Sequence, residues 1–172
     1  LVVFEDGLEI MEDANPLVKS DFYAQIGDLN YHLGEKRLAY KKYEEALKLN
    51  PQNLGVLNNY SYFLSLDDES LDKAEQMSSI TVKAEPTNPT YLDTYGWVLF
   101  RQGAYTMAKI YIENAVKYSQ DEPSAEVLEH YGDILYKTGE EEKALEQWKK
   151  AKEIGSESTT LEKKIKTKKY SE

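Results

Sequence analysis

Residues 26–46 read IGDLNYHLGEKRLAYKKYEEA, and the spacing of this stretch returns three more times along the chain. A small residue marks the first half of each copy and an alanine marks the second: Gly27 and Ala39, Ser61 and Ala74, Gly96 and Ala108, Gly132 and Ala144. Successive copies are separated by 34 to 36 residues. A fixed period in this range is typical of stacked supersecondary units, each too small to bury its apolar face alone. Such a scaffold presents a surface, so the period favours binding over catalysis.

The composition favours an all-helical, acidic protein. Of the 172 residues, 41% are hydrophobic, which is enough for a continuous core, and only five are proline. The net charge of −10 argues against nucleic acid as a partner, because phosphate binding needs a basic face. The same charge is compatible with a basic or neutral peptide. The absence of cysteine excludes disulfides, thiol nucleophiles and thiolate metal sites.

Each copy is predicted to contain two amphipathic helices. In the first copy, apolar residues from Asp21 to Leu33 form one stripe, and Gly34 ends that helix by allowing a left-handed conformation. The second helix is predicted over residues 36–49, and Pro51 stops it because proline cannot continue a helix. The small residues have a steric role, since they lie where two helix backbones approach closely.

Two turns depart from this pattern. In the second copy, residues 65–70 replace the glycine between the helices, and Ser70 or Asp68 is predicted to cap the helix that follows. Two extra residues fall between the third and fourth copies, where Ser124 is the predicted cap. Insertions confined to turns leave the stack of helices intact.

The period divides the chain into six predicted segments. Residues 1–19 are expected to be the second helix of a preceding repeat and residues 159–172 a capping helix, with the four repeats at 20–53, 54–88, 89–124 and 125–158. The last segment combines Leu161, Ile165 and Tyr170 with five lysines. Its apolar stripe is too thin for stable anchoring on an anionic membrane, which favours a soluble cap.

The four copies resemble tetratricopeptide repeats. That family has an apolar residue followed by glycine, a glycine turn, an alanine, an aromatic residue, a second alanine and a proline. The first copy matches at Ile26-Gly27, Gly34, Ala39, Tyr43, Ala46 and Pro51. The second copy is the weakest, because Ser61, Ser78 and Thr81 replace glycine, the aromatic residue and alanine. The resemblance covers about residues 20–158 and implies an all-α, right-handed superhelix of antiparallel helix pairs with a C-terminal capping helix.

In that family, the first helices of successive repeats line a concave groove in which ligand peptides lie. Carried over to this chain, the resemblance implies the following groove residues: Asp28, Tyr31, Asn58, Tyr62, Asp93, Trp97, Arg101, Glu129, Asp133 and Lys137. Aromatic side chains beside carboxylates suit an extended peptide or a helix with apolar and basic residues. The alternative is that some of these rings pack against neighbouring helices.

Two more specific sites are not supported by the sequence. The chaperone-binding members of the family grip a terminal carboxylate with lysine, asparagine and arginine, but the corresponding cations are missing here. His130 with Glu129 and Asp133 is the best cluster for a metal or for acid–base chemistry, and solvated acidic residues on a helix are a sufficient explanation for it. We therefore predict no catalytic residue, no metal and no cofactor.

The leading hypothesis is a non-enzymatic scaffold that binds a partner peptide or helix in the concave groove. The alternative is a module that self-associates, because an absent upstream repeat would expose the apolar side of residues 1–11. The segments LNNYSY at 57–62 and YLDTYGWVL at 91–99 are similar to a subset of bacterial envelope-associated members of the family. This similarity implies a role in cell-envelope assembly, with the cytoplasm as the alternative compartment.

Overall fold

The computed structural model describes residues 15–120 and 122–171, and all the secondary structure assigned there is helical. Its helices, in chain order, are α1 (Pro16–His32), α2 (Lys36–Leu49), α3 (Leu54–Leu66), α4 (Leu71–Ala84), α5 (Pro89–Arg101), α6 (Tyr105–Tyr118), α7 (Ala125–Lys137), α8 (Glu141–Glu153) and α9 (Leu161–Thr167). Each odd-numbered helix from α1 to α7 packs against the helix that follows it. The odd-numbered helices also pack on one another in succession, which forms one layer of the solenoid. The predicted all-α solenoid is confirmed.

Side-chain caps start the first helix of each pair. Asn15, Asn53, Asn88 and Ser124 each precede such a helix and accept a hydrogen bond from a backbone N–H in its first turn. This satisfies one of the donors that a helix start leaves without a partner. The cap predicted at Ser124 is confirmed. The cap predicted at Ser70 or Asp68 is wrong, because Ser70 makes no side-chain cap and Asp68 accepts from Arg101 instead.

The first helix begins earlier than predicted. α1 starts at Pro16, inside the segment of residues 1–19 that was expected to belong to a preceding repeat. Asn15 provides the cap, and proline suits the first helical position, where its missing N–H has no partner to lose. The rest of that predicted remnant, residues 1–14, lies outside the described residues, as does Asp121 in the turn before α7.

The small residues allow close contact within a helix pair. A Cβ added at Gly27 would come within 2.6 Å of the Tyr43 ring, and one at Gly132 would overlap the Trp148 ring. At Gly96 the nearest atom would be the Ala108 carbonyl oxygen at 3.3 Å. The first and fourth pairs therefore use glycine to seat a large aromatic ring from the second helix.

The buried side chains form a continuous core between the two helix layers. Tyr43 and Tyr60 lie at its N-terminal end, and Leu99 and Ile112 in its middle. At the C-terminal end, Trp148 packs with residues that include Leu128, Leu135 and Leu161. Because Leu161 comes from α9, this short helix covers the last pair as a cap.

Candidate functional site

A cleft of about 630 Å³ lies on the face formed by the odd-numbered helices. Its walls come from α3, α5 and α7, and the segment from Gly155 to Ser171 closes one side. The lining residues with polar or aromatic side chains are Tyr62, Trp97, Arg101, Glu126, Glu129, His130, Asp133, Ser156, Glu157, Ser158, Thr160, Lys164, Tyr170 and Ser171. Five of the ten groove residues implied by the sequence are among them, from three successive repeats.

An indole and an imidazole are stacked at the centre of the cleft. The rings of Trp97 and His130 lie 4.0 Å apart at an interplanar angle of 14°, and Nδ1 of His130 is 2.9 Å from Oδ1 of Asp93. Burial opposes protonation of His130, but the charge of Asp93 outweighs it and raises the pKa of this imidazole above its usual range. Trp97 is only 7% exposed, so packing accounts for most of its surface.

Two polar atoms on this face have no hydrogen-bond partner among the described residues. They are Nε1 of Trp97 and Oδ1 of Asn58, and both are buried. Buried polar groups normally have partners, so each atom is a candidate for a contact with water or with a ligand. Asn58 does not line the cleft, and its amide nitrogen donates to Asn59 at 3.3 Å.

Tyr62 connects the second repeat to the fourth. Its hydroxyl donates to Glu126, and its ring centroid is 6.1 Å from that of His130. Burial, together with the negative charge of Glu126, raises the pKa of Tyr62 well above its usual range. The tyrosine is therefore neutral throughout the physiological range and acts as a hydrogen-bond donor at the rim of the cleft.

A buried lysine holds two carboxylates at the C-terminal side of the cleft. Nζ of Lys164 is 2.8 Å from Oε1 of Glu129 and 2.7 Å from Oδ2 of Asp133. Glu129 also accepts from Ser158 at 2.8 Å, and Asp133 accepts from Nε1 of Trp148 at 2.9 Å. Both acidic residues were predicted as groove contacts. The expectation that these acidic residues are solvated is wrong, because Glu129 is 8% and Asp133 is 1% exposed, and α9 provides their cation.

The pKa values of the two carboxyls are shifted in opposite directions. Burial raises the pKa of Asp133 to about 6, although Lys164 and His130 oppose the shift. For Glu129, burial is outweighed by hydrogen bonds from Lys164 and Ser158, which hold the pKa of this carboxyl below its usual range. Asp133 therefore titrates nearer to neutral pH than an ordinary aspartate does.

The remaining cationic groove residues lie at the edge of the cleft. Arg101 makes an ion pair with Asp68, and its guanidinium carbon is 6.0 Å from the centroid of the Trp97 ring. Nζ of Lys137 is 4.5 Å from the centroid of the Tyr170 ring. Both cations therefore lie over aromatic rings, where the electron-rich face attracts positive charge.

Two of the predicted residues lie away from the cleft, in the first repeat. Asp28 accepts from the hydroxyl of Tyr43 at 2.5 Å and from the amide of Asn59 at 3.2 Å. Tyr31 stacks on Phe63 with ring centroids 3.7 Å apart. Burial beside an acidic neighbour raises the pKa of Tyr31 to about 12. These two residues join the first repeat to the second, and the structure does not bring them together with Trp97 or Asp133.

Sequence reasoning missed several residues of the site. The ring of Phe100 stacks on that of Trp97, with centroids 4.8 Å apart. Phe100 lies four residues after Gly96, just as Tyr31 lies four residues after Gly27, so the same spacing selects both residues. Tyr170 and Lys164 were not found in this way, because the resemblance to the repeats ends at about residue 158. No group of three or more histidine, cysteine, aspartate or glutamate side chains in the described ranges is arranged to hold a metal. Nor is any helix there long and apolar enough to cross a membrane.

Stacked helix pairs with a lined concave face define an α-helical repeat solenoid, a class of protein that presents a binding surface. The family model of the tetratricopeptide repeat matches residues 4–154 of this chain. The chain belongs to the tetratricopeptide repeat family. Its fold is that of a scaffold for protein–protein interaction.

Two bacterial proteins are similar in sequence. The chain is 30% identical over 105 residues to the TPR repeat-containing protein PA4667 of Pseudomonas aeruginosa. The matched region covers 59% of this chain and 17% of that protein. The chain is 27% identical over 109 residues to the putative cytochrome c-type biogenesis protein CcmH of Haemophilus influenzae, in a match that covers 62% of this chain and 24% of that protein. The chain thus spans less than a quarter of the length of either curated relative.

The fold is also similar to that of a solved structure. The PilF protein of Pseudomonas aeruginosa superimposes with a TM-score of 0.73 at 23% identity. The match covers 93% of this chain and 69% of that one. At this level of identity, the likeness supports the solenoid fold alone.

Proposed function

We propose that this protein binds a segment of a partner protein, extended or helical, that carries apolar and basic residues. The observation that carries this proposal is the cleft on the concave face. It combines an aromatic floor with four carboxylates and only two permanent cations, Arg101 and Lys164. An excess of negative charge around aromatic rings attracts lysine or arginine beside an apolar anchor.

Two exposed carboxylates provide the sharpest test. Glu126 and Glu157 line the cleft and are exposed, so their replacement by lysine reverses charge at its surface. Glu126→Lys also removes the acceptor of the Tyr62 hydroxyl, so Glu157→Lys alone is measured beside the double variant. A peptide library displayed against the purified protein should yield binders rich in lysine or arginine with an aromatic or aliphatic residue. The Glu126→Lys, Glu157→Lys variant should lose these binders at least tenfold in affinity.

The matched control changes the same charge elsewhere. Glu141 and Glu142 are exposed on α8 and lie outside this cleft, so Glu141→Lys, Glu142→Lys should bind the selected peptides as the wild type does. Selection of acidic peptides, or equal loss in both double variants, would contradict the assignment of the cleft.

We also propose that the partner acts in bacterial cell-envelope assembly. Support comes from the resemblance of residues 57–62 and 91–99 to envelope-associated members, and from a relative named for cytochrome c-type biogenesis. A photo-cross-linking residue at Leu66, which lines the cleft, should capture envelope proteins in bacterial cells. The control places the cross-linking residue at Met107, which is exposed and lies outside the cleft. Capture of cytosolic proteins alone at Leu66 would exclude the envelope role.

Self-association is a second candidate. Leu17 and Val18 on α1 are 53% and 43% exposed, and exposed apolar side chains can pack against another copy. Light scattering across a range of concentrations should detect a dimer that Leu17→Glu, Val18→Glu dissociates. A wild type that is monomeric at all concentrations would exclude this function.

A further inference from the structure

Five rings form a row across the concave face, which we call the aromatic row. In spatial order they belong to Tyr62, His130, Trp97, Phe100 and Tyr170, with successive centroid distances of 6.1, 4.0, 4.8 and 5.7 Å. The first four rings come from the helices α3, α5 and α7. The fifth comes from the segment that follows α9.

Tyr170 lies in a defined seat at the end of this row. Its ring meets Phe100 edge to face, with an interplanar angle of 68°. The ammonium groups of Lys137 and Lys164 lie 4.5 and 5.6 Å from its centroid. Aromatic pairs prefer this T-shaped geometry, and cations are attracted to the ring face. The seat therefore has the features that recognise an aromatic side chain.

The segment that carries Tyr170 begins where α9 ends. α9 is fixed by Leu161, which is 1% exposed, and by the buried ammonium group of Lys164. At Lys168 the backbone turns into the left-handed region, with φ of 54°, and α9 ends. Beyond that point Lys169 is exposed, and Tyr170 and Ser171 are only half-buried. Because the anchors of α9 lie before this point, displacement of residues 168–171 does not require α9 to undock.

We propose that residues 168–171 are an internal ligand of the groove. A partner segment that carries an aromatic residue takes the seat of Tyr170 by displacing them. This inference rests on the proposed function, because it names the chemistry of the segment that enters the same cleft. The groove is then closed by its own chain until such a partner arrives.

The ring of the internal ligand is the part that matches the cleft. Lys168 and Lys169 precede Tyr170 in the sequence, but both are exposed and neither lines the cleft. Tyr170 lines the cleft and takes the last place of the aromatic row. A tethered segment is present at a high effective concentration, so even a weak internal contact competes with a free peptide.

The test uses the full chain and a labelled hexapeptide, KTKKYS, which has the sequence of residues 166–171. Fluorescence anisotropy should show that Tyr170→Ala binds this probe at least tenfold more tightly than the wild type, because the seat is vacated. Tyr170→Phe keeps a ring in the seat and should bind as the wild type does. A second probe, KTKKAS, should bind Tyr170→Ala at least tenfold more weakly than KTKKYS.

A matched variant guards against a general effect of losing a tyrosine. Tyr118 is half-buried and packs against the same part of the core as Tyr170, so Tyr118→Ala should bind KTKKYS as the wild type does. Circular dichroism of each variant checks that the helices remain. Equal binding of KTKKYS to wild type and Tyr170→Ala, or binding to neither, would overturn the inference.

The display experiment separates this failure from failure of the proposed function. If selected basic peptides still bind and still depend on Glu126 and Glu157, the cleft is a binding site and only the internal ligand is wrong. If no basic peptide is selected and KTKKYS does not bind Tyr170→Ala, both proposals fail. Selected peptides that bind Tyr170→Ala and the wild type equally overturn the internal ligand alone.

Discussion

Asp28 in the first repeat and Asp133 in the fourth occupy equivalent places, each one residue after the glycine of its first helix. Each accepts a hydrogen bond from an aromatic residue 15 positions later, Tyr43 or Trp148. Each also accepts from a residue 31 positions later, but here the two ends differ. Asp28 meets the neutral amide of Asn59, whereas Asp133 meets the ammonium group of Lys164.

The difference shows what α9 does for the last repeat. Asn59 lies on the first helix of the next repeat, and Lys164 lies on α9 in the corresponding place. The capping helix therefore replaces a whole following repeat at this contact and adds a charge. Asp133 is 1% exposed and Asp28 is half-buried, so the cap also removes the fourth aspartate from water. A terminal repeat needs such a cover because no further helix pair completes it.

Removal of the lysine should separate the two ends most strongly. Lys164→Ala leaves Glu129 and Asp133 buried without their cation, and loss of one partner of a buried ion pair costs about 3 to 5 kcal/mol. Asn59→Ala removes two hydrogen bonds, one to the Asp28 carboxylate and one from the Asn58 amide, which contribute about 1 kcal/mol each. Chemical denaturation should give these losses in the free energy of unfolding, and hydrogen exchange should show α9 opening only in the first variant. Equal losses would mean that the cap is not held by its charge.

The glycine that precedes each aspartate gives the next largest effect. In Gly132→Ala the new methyl group overlaps the Trp148 ring and lies 3.1 Å from the Ala144 carbonyl oxygen, so overpacking should cost about 1 to 3 kcal/mol. Gly96→Ala, where the nearest atom is at 3.3 Å, is the control and should lose less. The midpoints of thermal unfolding compare the two. A larger loss at Gly96 would show that Trp148 yields more readily than the backbone near Ala108.

The pH dependence should be smaller still. The folded protein raises the pKa of Asp133 from 3.8 to about 6, so this group binds its proton more tightly in the folded state. The stability that it contributes is present at low pH and is lost as the pH rises through about 6, by about 1 kcal/mol between pH 5 and 6. In Asp133→Asn the midpoint of thermal unfolding should change less between pH 5 and 6 than in the wild type.

Other charged groups near Asp133 define the window of this measurement. From α7, Glu129 has a lowered pKa and titrates below its usual 4.5, outside the interval. His130, held by Asp93 on α5, has a raised pKa and loses its contribution only above 6.5. Lys164 faces Asp133 from α9. An unchanged slope in Asp133→Asn would assign the pH dependence to another group.

Much of the fold could be predicted from the sequence, because each repeat is a local unit. Gly34 and Ser124 were identified from local patterns, and they act through their own turn or helix start. Ser70 was not predicted correctly. Its φ of 47° places Ser70 in a left-handed conformation within a turn that contains no glycine. The residue types of such a turn do not show which side chain caps the next helix.

The site was predicted less completely than the fold. The repeat pattern selected Tyr62 and Trp97, since their positions follow from the period. It could not show that Trp97 is covered by His130, because stacking depends on the approach of two helices 33 residues apart in sequence. Nor did it pair Asp133 with Lys164, because the resemblance to the repeats ends at about residue 158 although Lys164 lies in the place of Asn59. Contacts between elements are decided by packing, which a single-sequence pattern does not contain.

The hydrogen bond from Tyr62 to Glu126 also has a consequence for cooperativity. A solenoid in which each repeat contacts only its neighbours unfolds like a one-dimensional array, in which partly frayed states are populated. This bond joins residues 64 positions apart, one in the second repeat and one in the fourth. Such a next-nearest-neighbour coupling penalises any state in which the fourth repeat frays while the second stays folded. The bond therefore lowers the population of states in which only the fourth repeat has frayed.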